Sequence, residues 1–103
     1  MILRYVFIKL VDSYANSAAR AEVVRETLET LSKCPDVLSV SSGVPSDPLS
    51  EKAWDVSITL RFDSQEAVES YRADPIHRKY VSSFLRPRLE VIKAWNFEVT
   101  TGS

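Results

Sequence analysis

WDVSITLRFDSQEAVESYRADPIHRKY, residues 54–80, holds a strand, a helix and an interrupted second helix in one run. Its first nine residues alternate strictly. Trp54, Val56, Ile58, Leu60 and Phe62 take one face, and Asp55, Ser57, Thr59 and Arg61 the other. A period of two marks a half-buried strand. Asp63-Ser64-Gln65-Glu66 then opens a helix, with Asp63 or Ser64 as cap and acidic side chains near its N-terminus. That helix is predicted to about Arg72. Asp74-Pro75 restarts it: Asp is a capping residue, and Pro suits the first helical position, whose N–H has no helical partner anyway. The second helix is predicted through about Leu85, with Tyr80, Val81, Phe84 and Leu85 on its apolar side.

Working outward, residues 2–11 (ILRYVFIKLV) read as a strand that is apolar on both faces. Ile2, Val6, Ile8 and Leu10 form one face; Leu3, Tyr5, Phe7 and Val11 form the other. Such a strand is buried on both sides. Asn16-Ser17 can cap a helix to about Ser32, with Ala21, Val24, Leu28 and Leu31 at helical spacing, and Pro35 ends it. Residues 37–42 are a weaker strand, 43–53 a loop with two prolines, and 89–99 the last strand. The order β-α-β-β-α-β is the ferredoxin-like α+β arrangement, a four-stranded antiparallel sheet with helices on one face. The uncovered face would carry the second side of the first strand, with Trp95 and Phe97 together on one side of the last. A twofold homodimer is the simplest way to bury it. Trp54 and Trp95 therefore read as core or interface residues.

The chain of 103 residues is the size of one domain, taken as residues 1–99 with a tail at 100–103, and at 45% hydrophobic it can bury a core. A net charge of −1 with mixed signs argues against nucleic acid as a partner. Arg78, Lys79, Arg86 and Arg88 form a modest basic cluster, read as a solvated helix face. The single cysteine, Cys34, allows no internal disulfide and no Cys-based metal site, and fits a reducing compartment. The apolar start is too short to span a membrane and carries Arg4 and Lys9, so a cytoplasmic protein is expected. There is no glycine-rich phosphate loop, and the serine pairs have no nucleophile-elbow context.

The one constellation with chemistry is Tyr71 and His77, the only histidine. Six residues along an unbroken helix turn through about 600°, so the two side chains would point roughly 120° apart. The Asp74-Pro75 break removes that constraint. As the third residue of the restarted helix, His77 meets the positive end of the dipole, which disfavours imidazolium, while Asp74 opposes this. A neutral imidazole is a general base, and a tyrosine hydroxyl can donate to a carbonyl that gains charge. Together they would serve proton abstraction beside a carbonyl: enolisation, aldol closure or isomerisation. The plainer alternative is a solvated or capping histidine beside a core tyrosine.

Four pieces of the chain carry a family resemblance: RYVFIKL, PDVLSVS (35–41), WDVSITLRFDSQEAVESY and DPIHRKYVSSFLRP. The most specific run is F-[DE]-S-x-E-A-[VL]-x-x-Y-x-x-x-P-x-H. Over nearly its whole length the chain resembles the stress-responsive A/B barrel (Dabb) family of dimeric α+β barrels. The resemblance implies a homodimer whose sheets close into a barrel, with a ligand cavity between sheet and helices. One plant polyketide cyclase of that family closes a linear polyketide thioester by aldol condensation without metal or organic cofactor. Carried over, Tyr71 would orient the carbonyl and His77 act as base. Val6, Ile8, Val23, Val24, Leu28, Ile58 and Leu60 would line the cavity. Where members often place a first-strand histidine, this chain has Arg4, which cannot be a base but can hold a carboxylate or enolate. The resemblance leaves two other readings open: a non-enzymatic binding or stress-response homodimer, and a monooxygenase of the dimeric α+β barrel type, cofactor-free or haem-linked through His77.

Overall fold

The computed structural model describes residues 1–102; Ser103, the end of the expected tail, lies outside the described residues. Ile2–Leu10 (β1), Ser39–Gly43 (β2), Val56–Phe62 (β3) and Leu89–Glu98 (β4) form one antiparallel sheet in the order β2-β3-β1-β4. The helices are Ser17–Leu31 (α1), Pro48–Ala53 (α2), Gln65–Ala73 (α3) and Pro75–Lys79 (α4). A π-helical segment, Tyr80–Leu85, and a short 3-10 turn, Arg86–Arg88, continue α4. This is the ferredoxin-like architecture expected from the element order.

The alternating strands decide which face meets the helices. Ile2, Val6, Ile8 and Leu10 of β1 and Val56, Ile58, Leu60 and Phe62 of β3 are buried with Val23, Leu31, Val68, Tyr71, Tyr80 and Leu85. Fully burying each aliphatic or Phe side chain contributes roughly 1.5–3 kcal/mol. Register places Arg4 between Leu60 on β3 and Asn96 on β4, so Arg4 shares this helix-facing side. Leu3, Tyr5 and Phe7 point the other way, where no helix covers them. There Tyr5 meets Phe97 at 5.8 Å and Phe7 meets Trp95 at 6.4 Å between ring centroids. Trp95 is 48% exposed and Phe97 55%, so the face is an aromatic surface without a cover.

Caps delimit the helices as the side chains allow. Asn16 accepts from the Ala19 N–H at 2.9 Å, Ser64 from Ala67 at 3.1 Å and Asp74 from Ile76 at 2.8 Å.

Four expectations need correction. The stretch 43–53 is not all loop, because Asp47 caps α2 and Pro48 fills its first position. Trp54 does not share the core face of β3; it lies against Phe7 on the open face, with ring centroids 5.7 Å apart. Asp55 is not on the outer face either. It precedes the strand in a bend and is 2% exposed. The buried stripe of α1 is Val23, Thr27 and Leu31, rotated from the one read through Ala21 and Leu28, and Leu28 is 36% exposed. Thr27 turns inward because its hydroxyl hydrogen-bonds Tyr80 Oη, which satisfies both buried groups.

Candidate functional site

The Asp74-Pro75 break brings the two side chains of interest together. Tyr71 sits in the last turn of α3, and Asp74 is extended (φ −64°, ψ 133°), so α4 sets off in a new direction. The Tyr71 and His77 rings meet with centroids 4.2 Å apart, tilted 42°. On its other side Tyr71 packs on Phe62 at 5.1 Å.

His77 is half-buried. Its Nδ1 is buried and has no hydrogen-bond partner. Burial lowers its pKa from the ordinary 6.5; the Arg72 carbonyl and Asp74 oppose this, while Arg4 and Arg72 add to it. The ring is therefore neutral at pH 7. The Tyr71 phenol is pushed well above its ordinary value, burial being the main cause and Arg4 the opposing charge. It stays protonated, a donor, and its hydroxyl makes no hydrogen bond among the described residues.

Arg4 closes the group from the sheet side. Burial lowers its pKa, and its charge acts on both Tyr71 and His77. Asn96 Oδ1 accepts from its Nη1 at 2.9 Å. Arg20, Arg72 and Arg88 each pair with a carboxylate, but Arg4 forms no ion pair among the described residues. Three groups able to bind an oxygen anion or take a proton thus converge, and none of them is held by a carboxylate.

Cys34 lies against the same corner, a placement no local sequence signal marks. Burial raises the thiol pKa to about 11, with the nearby His77 backbone acting the other way. A protonated, 2% exposed thiol is no nucleophile. Among the described residues no three His, Cys, Asp or Glu side chains gather to hold a metal ion.

The seven expected wall positions are placed unevenly. Val6, Ile8, Val23, Ile58 and Leu60 are core residues, Val24 is half-buried against them, and Leu28 is exposed. None lines any of three surface pockets, of about 410, 580 and 400 Å³. The third pocket is the one that reaches His77, though neither Tyr71 nor Arg4 lines it; its wall is His77, Arg78, Lys79, Val81, Ser82 and Arg86. Arg78, Lys79 and Arg86 of the basic cluster are exposed, as a solvated face requires, and they also line this pocket.

The family follows from the whole chain. The family model of the stress responsive A/B barrel domain (Dabb) matches residues 2–99. The chain is a Dabb protein. No curated protein matches it. Solved structures share the Dabb fold at low identity. The protein At3g17210 from Arabidopsis thaliana superposes with TM-score 0.82 at 17% identity, covering 100% of this chain and 99% of that one. A dimeric ferredoxin-like protein from Thermobifida fusca has TM-score 0.76 at 19% identity, covering 95% and 90%. Hydroxynitrile lyase from Passiflora edulis has TM-score 0.77 at 15% identity, covering 99% and 95%. At these identities the likeness is one of fold. In the described residues no helix is long and apolar enough to cross a membrane.

Arg4 tunes His77 in a way that can be measured directly. His77 is the only histidine, so its ring resonances titrate alone in an NMR spectrum. Replacing Arg4 with Ala removes a like charge and some burial, so the His77 pKa is expected to rise toward 6.5. The same shift sets the stability profile. The unfolded chain binds the proton more readily, so stability falls as pH drops below about 6.5 toward the folded value and is level above it. A His77 pKa unchanged in the Arg4→Ala variant would separate the two groups.

Proposed function

We propose that this Dabb chain works as a homodimer that performs base-promoted chemistry at the carbonyl of a small ligand, as a cofactor-independent cyclase, isomerase or lyase. His77 takes the proton α to the carbonyl on its neutral ring. The C–H electron pair moves into the enolate, whose oxygen is met by the Tyr71 hydroxyl and the Arg4 guanidinium. Attack of the enolate on a second carbonyl forms the C–C bond and an alkoxide, which takes the proton back from His77; in isomerisation His77 returns it to another carbon, and either way the neutral base is restored. No oxidant is needed. The observation that carries this reading is the convergence of a neutral imidazole whose Nδ1 has no partner with a phenol that makes no hydrogen bond among the described residues and an arginine that has no carboxylate. The hydroxynitrile lyase that shares the fold belongs to the lyase class, which lends support. The buried, protonated thiol of Cys34 fits the reducing cytoplasm.

The test is proton exchange. The wild-type protein is incubated in D2O with a panel of ketones, β-keto acids and β-keto thioesters, and deuterium at the α-carbon is followed by mass spectrometry. Catalysed exchange in at least one class is expected; none in any would end the proposal. A non-enzymatic binding dimer is the second reading. It is favoured by the burial of Val6, Ile8, Val23, Ile58 and Leu60 in the core, and it predicts that His77→Ala leaves ligand binding and stability unchanged.

The homodimer rests on the uncovered aromatic face, and the dimeric relative supports it. Trp95 stands at its centre beside Phe7 and Tyr5. Replacing Trp95 with Asp places a charge in an apolar contact and is expected to cost at least about 2 kcal/mol of association, roughly 30-fold in Kd. Sedimentation equilibrium of the two proteins decides it. A wild-type chain that stays monomeric at high concentration would rule the dimer out.

A further inference from the structure

The pocket that touches His77 has an unusual wall. It holds about 400 Å³, within the common range for small-molecule sites. Arg78, Lys79 and Arg86 line it, and among the described residues no acidic side chain does. None of the three cations forms an ion pair among the described residues. With His77 neutral the wall carries three positive charges and no compensating one, in a chain whose net charge is −1.

The backbone brings these cations together. On a regular α-helix the eight residues from Arg78 to Arg86 turn through about 800°, which leaves the two roughly 80° apart. The π-helical segment Tyr80–Leu85 lies between them. Its wider turns, about 4.4 residues each, take back most of that angle and bring Arg86 into line with Arg78 and Ser82. An α-helix would have aimed Arg86 elsewhere. Isolated π-turns are uncommon and often mark functional sites. Here the turn also seats Tyr80 against Thr27, so the core holds it in place.

We infer that this pocket is an anion site, and that the ligand presented to His77 carries a phosphate or diphosphate group held by Arg78, Lys79 and Arg86, with the Ser82 hydroxyl as a further donor. The proposal rests on reading His77 as the group that meets the ligand. It adds the class of that ligand: a small phosphorylated carbonyl compound, or a carbonyl carried on a phosphorylated handle. Arginine guanidinium groups fit phosphate oxygens in bidentate fashion, and lysine adds a point charge. The three exposed cations line one concave pocket beside one imidazole, which suits a small ligand better than a lipid surface or a nucleic acid backbone.

Inorganic pyrophosphate is the probe. Calorimetry on the full chain is expected to show one site per chain, weakening as salt rises. NMR is expected to show the lone His77 pKa rising as pyrophosphate binds, because an adjacent anion favours imidazolium. The Arg78→Gln, Lys79→Gln, Arg86→Gln triple variant, verified as folded by circular dichroism, is expected to bind at least tenfold more weakly. No pyrophosphate binding, equal binding by the triple variant, or binding that leaves His77 unmoved would each overturn the site. Binding only to phosphatidic acid vesicles, with none to free pyrophosphate, would overturn it in favour of a lipid headgroup. The two proposals fail separately. Pyrophosphate binding without carbonyl exchange removes the chemistry and leaves the pocket; exchange without pyrophosphate binding does the reverse.

Discussion

Replacing Asp55 with Ala is expected to lower unfolding stability by about 3–5 kcal/mol, the usual loss when one member of a buried ion pair is removed. Asp55 Oδ2 accepts from the Leu10 N–H at 2.7 Å, and Oδ1 accepts from Arg20 Nε at 3.0 Å and Nη2 at 2.7 Å. The first bond falls where the β1–β4 register shifts between Lys9 and Leu10. In the variant, the Leu10 N–H and the Arg20 guanidinium, 13% exposed, would both lose their partner. The remaining partner of Arg20 is Glu51 at 3.7 Å, which is 60% exposed and cannot compensate. One carboxylate therefore ties α1 to β1 and to the start of β3. Urea unfolding at fixed protein concentration measures the effect, and each kcal/mol should appear as roughly 4–8 °C in Tm for a domain of this size. A double variant that makes both Asp55 and Arg20 apolar should lose less than Asp55→Ala alone, since it leaves no orphaned charge. A loss below about 1 kcal/mol in Asp55→Ala would show that the pair is solvated and the assigned role wrong.

Asp55 also marks where local reading of the sequence fails. Strict alternation from Trp54 to Phe62 assigned Asp55 outward and Trp54 inward. Alternation holds only once the chain is a strand, and β3 begins at Val56. The partners that draw Asp55 inward lie 45 and 35 positions away, beyond any pattern window. Thr27 is a similar case, since its buried partner Tyr80 is 53 positions distant. The elements themselves were legible because their signals are local. Val56 to Phe62 and Ile2 to Leu10 show period two, and Asn16, Ser64 and Asp74 each sit at a helix start as caps. The Tyr71–His77 contact was legible for the same reason: a proline break is written in the residues. Arg4 entered through the family resemblance, and register across the sheet is what places it beside the pair. The π-turn that aligns Arg78 with Arg86 left no such mark, because its sequence, YVSSFL, also reads as an ordinary apolar helix face.

In the proposed reaction His77→Ala is expected to reduce α-proton exchange by about 10²–10⁴-fold, the usual contribution of a positioned general base. The loss should fall on kcat more than on KM, because the cations of the adjacent pocket and Arg4 remain to hold the ligand. The wild-type rate should hold steady as pH falls through 6.5 and decline only below it, since burial and Arg4 keep the ring neutral beyond the ordinary imidazole range. Arg4→Ala should move that acid limb upward, toward 6.5. Tyr71→Phe separates packing from chemistry. It keeps the ring between Phe62 at 5.1 Å and His77 at 4.2 Å, so the fold is preserved, while the hydroxyl donor is lost. Its exchange rate should fall with no shift of the acid limb to higher pH. A His77 without a chemical role predicts something else: Ala would leave exchange within about twofold and not respond to added imidazole. A true base site opened by the Ala truncation should admit free imidazole and recover part of the lost rate. Rescue by imidazole, with an acid limb reset toward the pKa of the free base, would assign the proton transfer to this position rather than to the fold around it.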